Sequence, residues 1–171
     1  VKTGHFELVG STYAQNVMYS TSDRDNALQI DLHKNLLKTL FHCSPVSFWN
    51  PERCWRPELA PLIYEAGYRF TWIEDQILEI HSIPISTEIV SVSPGLSVFR
   101  DHKAFQHCIN QAIWTGDTEP VLDFLKTTPH AVLCYAEDAE SIGLWQYEGQ
   151  KDFDMHSHPQ IYWDRFDRLL T

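Results

Sequence analysis

Long apolar runs are missing from this chain. No stretch approaches the roughly 20 consecutive apolar residues that a membrane-crossing helix needs, and no charged segment followed by an apolar one marks a leader. No membrane partner is expected, and a cytoplasmic location is. Basic residues are also scarce: 13 Lys and Arg face 23 Asp and Glu, a net charge of -10, and none cluster into a stripe that tracks a phosphate backbone. No nucleic-acid partner is expected, and the acidity reads as a solubility property. The four cysteines, Cys43, Cys54, Cys108 and Cys134, include no CxxC pair. They suggest neither a zinc site nor a disulfide framework, and they fit a reducing compartment. No fixed-period repeat, low-complexity run or linker divides the chain. One domain over residues 1–171 is the expectation, and 43% hydrophobic residues are enough for a sizeable core.

What is present alternates between strand and helix signals. Phe6 to Val9 has the composition of a short strand ending at Gly10. Leu28, Leu32, Leu36, Leu37, Leu40 and Phe41 recur at helical spacing and predict a helix over 26–41. Pro45 to Asn50 is strand-like. Arg56 to Ala66 reads as a helix, with Pro57 near its first turn and Gly67 at its end. Tyr68 to Ile73 is an aromatic and β-branched strand. Pro84 and Pro94-Gly95 then punctuate two strands, Thr87 to Val92 and Leu96 to Arg100. Helices over 101–114 and 118–126, a buried strand from His130 to Ala136 and an aromatic-rich helix from Pro159 to Leu170 complete the pattern. Such alternation predicts an α/β fold with a parallel sheet and helical crossovers, either a barrel or a doubly wound sheet. In both, chemistry gathers at the C-terminal ends of the strands.

The residues at or after those strands are mostly carboxylates: Glu7, Glu52 in Asn50-Pro51-Glu52, Glu74-Asp75, and Glu137-Asp138-Ala139-Glu140. Trp49, Trp55, Trp72 and Trp145 accompany them. Sugar rings stack their C–H faces on aromatics while carboxylates accept hydroxyl hydrogen bonds. Glycoside cleavage needs two carboxyl groups of different pKa, one acting as acid and base, the other as nucleophile or activator of water. The plainer alternative is that these carboxylates cap the following helices and that the tryptophans are core.

The stretch from Phe48 to Leu78, FWNPERCWRPELAPLIYEAGYRFTWIEDQIL, resembles the third motif region of glycoside hydrolase family 57. That motif carries Trp-x-x-Glu-Arg-x-Trp-x-Pro-Glu-Leu, a helix, Ala-Gly, an aromatic strand and an Asp. The matching residues are Trp49, Glu52, Arg53, Trp55, Pro57, Glu58, Leu59, Ala66, Gly67 and Asp75. GHFELVGSTYAQNVM resembles the second motif, whose Glu, here Glu7, lies in the sugar-binding cleft. AVLCYAEDAESIGLW resembles the fourth, with Glu137, Asp138, Glu140, Gly143 and Trp145 in place and Ile142 where an aromatic is usual.

The resemblance implies an incomplete (β/α)7-type barrel, with its N-terminal strand and C-terminal region missing, and retaining double displacement on an α-glucan or oligosaccharide. Glu52 would be the nucleophile and Asp138 the general acid/base. Glu7, Trp49, Arg53, Trp55, Asp75, Glu140 and Trp145 would bind substrate, and neither a cofactor nor a metal is implied. A retaining pair stands about 5–5.5 Å apart. Arg53 beside Glu52 would favour its ionised form, and Glu137 and Glu140 would oppose ionisation of Asp138. Family members include α-amylases, 4-α-glucanotransferases, branching enzymes and α-galactosidases. Ala14-Gln15 departs from the usual second motif and leaves that subsite's specificity open.

Other readings stay open at this point. Asp101 competes with Asp138 because it also follows a strand, but its flanking residues do not match the motif. A metal-dependent carbohydrate deacetylase on a related barrel would draw on Asp101, His102, His156 and His158. A noncatalytic glucan-binding domain would keep the tryptophans alone.

Overall fold

Ser22 opens the first long helix. Its hydroxyl accepts the Asp25 N–H at 3.2 Å, Asp23 and Asp25 occupy the first turn, and Lys38 lies in the last, all in the sense the helix dipole favours. Helix α1 spans Asp23–Phe41 and ends at His42, which adopts a left-handed conformation and donates its N–H to Lys38 O at 3.1 Å. This computed structural model describes residues 7–83, 89–93, 95–128, 132–138, 142 and 159–171. The chain forms two compact units, Val1–Arg100 and Asp101–Thr171.

In the first unit, strands β1 (Ser47–Phe48), β2 (Phe70–Glu74), β3 (Val90–Ser93) and β4 (Leu96–Asp101) form one sheet in the order β1-β2-β4-β3. β1 and β2 are parallel, with Ser47 opposite Phe70 and Phe48 opposite Thr71. Gly10 forms a further parallel bridge to Phe48, so the chain just after Glu7 runs beside β1, although residues 7–9 adopt no regular element. Gly10 must be glycine: a Cβ there would run into the buried Tyr68 ring. The expectation of a parallel sheet holds for β1 and β2 and needs correcting for β3. β3 pairs antiparallel with β4, because the two residues between them, Pro94 and Gly95, are far too few for a parallel crossover.

Helix α2 (Leu59–Glu65) follows β1, and α3 (Asp75–Ile80) follows β2. Phe48, Leu59, Ile63, Ile73, Leu96 and Val98 are among the residues that make the core of this unit. The face that α1 buries is not the leucine stripe. Asn26, Ile30 and Leu37 are buried, whereas Leu28, Leu32, Leu36, Leu40 and Phe41 are exposed. Asn26 sets that orientation by hydrogen bonding: its amide donates to Met18 O at 2.9 Å and to Thr21 O at 3.2 Å, and its oxygen accepts from Asn16 at 2.9 Å.

The second unit contains α4 (Lys103–Thr115), α5 (Glu119–Thr127) and α6 (Pro159–Leu170). Its core gathers Phe105, Ile109, Ala112, Ile113, Val121 and Ile142. Gly116, at φ 81°, ends α4. Of the strand expected at 130–136, residues 132–136 are described and carry a single bridge, Cys134 to Asp101. The described residues thus form a mixed α/β structure with a four-stranded sheet and six helices. Among them no helix is long and apolar enough to cross a membrane.

Tyr68 yields a stability prediction. Its side chain is 1% exposed, and burial, reinforced by the charge of Asp31, pushes its hydroxyl up from 10.0 to about 12. A folded-state value above the unfolded one contributes stability that is fully present below pH 10 and is lost as pH rises through 12, roughly 2–3 kcal/mol in all. Y68F should therefore flatten the fall in urea midpoint measured between pH 9 and about 11.5, leaving neutral-pH stability within about 1 kcal/mol. An unchanged alkaline slope would contradict this.

Candidate active site

The C-terminal ends of β1, β2 and β4 bring together much of what the motif pattern singles out in the first unit. After Phe48 the chain passes through Trp49 and Asn50 into a one-turn 3-10 helix, Pro51–Arg53. Glu52 has φ 56° and ψ 9°, and Arg53 has φ 53°, so two consecutive residues with side chains lie in the left-handed region. Each such residue costs about 1–2 kcal/mol, which surrounding contacts must outweigh. Two of those contacts are internal to the turn. The Arg53 N–H donates to Asn50 O at 3.0 Å, and the buried Asn50 side chain donates to Cys54 O at 2.8 Å. Glu52 is left exposed.

Arg53 pairs with Glu74: its Nη1 lies 3.1 Å from Glu74 Oε1, with the guanidinium 5.3 Å from the Trp49 ring centroid. Asp75, the first residue of α3, accepts from Arg100 Nη2 at 3.4 Å and from the Gln76 N–H at 2.9 Å. Alternation along β2 buries Thr71 and Ile73 and leaves Phe70, Trp72 and Glu74 half-buried on the opposite face. On that face the rings form a ladder, with Trp49 and Trp72 centroids 6.3 Å apart, Trp72 and Phe99 5.8 Å, and Phe70 and Phe99 5.7 Å.

Trp49 therefore sits at the strand-end cluster. Trp55 lies elsewhere, 2% exposed within the core of the first unit. Glu7 is exposed, three residues before the Gly10 bridge. Glu74 and Arg100, which bind Arg53 and Asp75, were not among the expected substrate-binding residues. Glu74 is among the strand-end carboxylates noted in the sequence, and for Arg100 its place at the end of a strand is the available signal.

In the second unit Asp138 is exposed, and its backbone N–H donates to Glu137 Oε1 at 3.1 Å. Glu137 is itself held from α4, accepting from Gln106 Nε2 at 2.6 Å and Asn110 Nδ2 at 3.1 Å, while Tyr135 donates to Asn110 Oδ1 at 2.7 Å. An open pocket of about 450 Å³ lies here, lined by Lys103, Ala104, Gln106, His107, Asn110 and Glu137. Asp101, the competitor of Asp138, is 1% exposed. Glu140, Gly143, Trp145, His156 and His158 lie outside the described residues. Among the described residues no group of three or more His, Cys, Asp or Glu is arranged to hold a metal.

Comparison with known proteins places the chain in a family. The model of glycosyl hydrolase family 57 matches residues 1–155. A 4-alpha-glucanotransferase from Thermococcus litoralis is 22% identical over 152 residues, which cover 85% of this chain and 23% of that protein. The crystal structure of 4-alpha-glucanotransferase from Thermococcus litoralis matches with a TM-score of 0.69 at 20% identity, covering 99% of this chain and 25% of that one. The chain thus spans about a quarter of the length of these relatives. With the family match running through both units and all three motif segments, the chain belongs to glycosyl hydrolase family 57.

Proposed function

We propose that the protein carrying this sequence cleaves or transfers α-glucans with retention of anomeric configuration. Its nucleophile is Glu52 and its general acid/base Asp138, on a (β/α)7-type barrel of which these residues are part. Family membership supports the reaction class. The observation that carries the assignment of Glu52 is its backbone: an exposed carboxylate on a left-handed turn directly after a sheet strand, the kind of strain that surroundings maintain at functional sites.

In the first step Glu52 attacks the anomeric carbon while Asp138 gives its proton to the leaving oxygen. In the second, Asp138 takes a proton from water or a sugar hydroxyl, which displaces Glu52. Glu137 supports the role of Asp138: its carboxylate, which α4 holds in place, accepts the Asp138 backbone N–H. In the same reading Trp49 offers a ring for a sugar to stack on, Arg53 and Asp75 border the turn, and Glu7, Glu140 and Trp145 complete the substrate-binding set that the family pattern implies, whereas Trp55, 2% exposed in the core of the first unit, is not part of it.

The experiment is trapping. A maltosyl fluoride bearing an additional ring fluorine slows breakdown of the glycosyl-enzyme, so digestion and mass spectrometry should find the sugar mass on the peptide containing Glu52. A label on another carboxylate, or none despite turnover of maltooligosaccharides, would overturn the assignment.

A further inference from the structure

Two consecutive residues at φ 56° and 53° do not hold that conformation unaided. The contacts of Arg53 show what holds the second of them. Its guanidinium meets Glu74 at 3.1 Å, with the two side chains 16% and 20% exposed, and it lies over the Trp49 ring. Glu74 is the last residue of β2, whose register against β1 is set by the Ser47–Phe70 and Phe48–Thr71 pairs. Trp49 is tied to the sheet by its N–H, which donates to Gly10 O at 2.7 Å. The guanidinium is thus caught between a carboxylate anchored on one strand and a ring anchored at the end of its neighbour.

We infer that Glu74 is a positioning residue for Glu52, acting through Arg53; the inference rests on the reading of Glu52 as nucleophile. The ion pair has two consequences. It fixes the backbone at Arg53 and so the direction in which the preceding carboxylate points. It also engages the guanidinium away from Glu52, where a charge-assisted hydrogen bond would occupy the oxygen lone pairs needed for attack. A partly exposed ion pair contributes little to global stability. A displacement of about 1 Å at a reacting group, by contrast, costs up to about 10²-fold in rate. The loss of Glu74 is therefore expected in turnover rather than in folding.

The test compares E74Q, E74D and R53M/E74Q in the protein carrying this sequence, with maltooligosaccharides as substrate and E52A as the reference for a lost nucleophile. For E74Q, kcat should fall about 10–100-fold, with KM within about threefold and a melting temperature close to the parent's. E74D, which keeps the charge, should recover part of kcat. The double variant should lie within about threefold of E74Q, because the two side chains act as one unit. If E74Q keeps kcat within twofold while E52A is inactive, the positioning role is wrong and the nucleophile stands. If E74Q raises KM and leaves kcat intact, the pair binds sugar and does not position Glu52, which also overturns the inference. Should E74Q fail to fold, R53K takes its place under the same criteria, since an ammonium keeps the charge but not the planar fork. Full activity of E52A would instead remove the reading on which the inference rests.

Discussion

Replacing Glu52 by alanine in the protein carrying this sequence is expected to lower kcat on an α-glucan by at least about 10⁴-fold, the scale on which removal of a covalent nucleophile is felt. The structure gives reasons to expect a loss that is chemical rather than structural. The Glu52 side chain is exposed, and the bend that carries it is closed by groups on other residues: Asn50 through Cys54 O, the Arg53 N–H through Asn50 O, and the Arg53 guanidinium through Glu74. Truncating Glu52 removes none of these contacts. The variant should keep the parent's melting temperature to within a few degrees and retain glucan binding, measured by titration calorimetry with maltooligosaccharides. A variant with kcat within tenfold of the parent would mean that the carboxylate is not the attacking group.

The second large effect concerns Asp138. D138A should lose about 10²–10⁴-fold on maltooligosaccharides, whose departing sugar oxygen needs a proton. It should lose much less in the first step on a maltosyl fluoride, because fluoride departs without one. The contrast between the two substrates is the diagnostic, since a merely structural defect would slow both alike. Glu137 is the relevant control. Its carboxylate is fixed by Gln106 and Asn110 and accepts the Asp138 N–H, so it shapes the backbone beside the acid without depending on the Asp138 side chain. A loss equal on both substrates would move the acid/base role to another residue.

Some of this was legible in the residues. Helices α4, α5 and α6 lie within two residues of the ranges expected from the sequence, and Gly116 after α4 and Pro120 in the first turn of α5 supply local stop and start chemistry that tertiary contacts did not override. The motif around Glu52 was legible for a different reason: its residue types and spacing reflect a site, not a period. Three features were not. Helix α3, six residues long, is too short for a 3.6-residue period to register. On α1 the leucines at 28, 32, 36 and 40 mark a helix correctly but are exposed, while a polar residue, Asn26, is buried through hydrogen bonds no hydropathy pattern reveals. The partner of Arg53 was likewise hidden. Sequence adjacency favours Glu52, whereas the sheet brings Glu74 from 21 residues away to the guanidinium. Trp49 and Trp55 illustrate the same limit: six residues apart in one motif, one borders the strand-end cluster and the other is sealed in the core.

The claim that Glu52 and Asp138 are the two halves of one retaining mechanism is tested most directly by the configuration of the azide formed from an α-maltosyl fluoride by each alanine variant, read by proton NMR. With Glu52 gone, azide should enter the vacated space and attack the opposite face from the departing fluoride, giving the β-azide. With Asp138 gone, the glycosyl-enzyme still forms, and azide should displace Glu52 to give the α-azide. The same anomer from both variants, or the two anomers exchanged, would contradict the assignment.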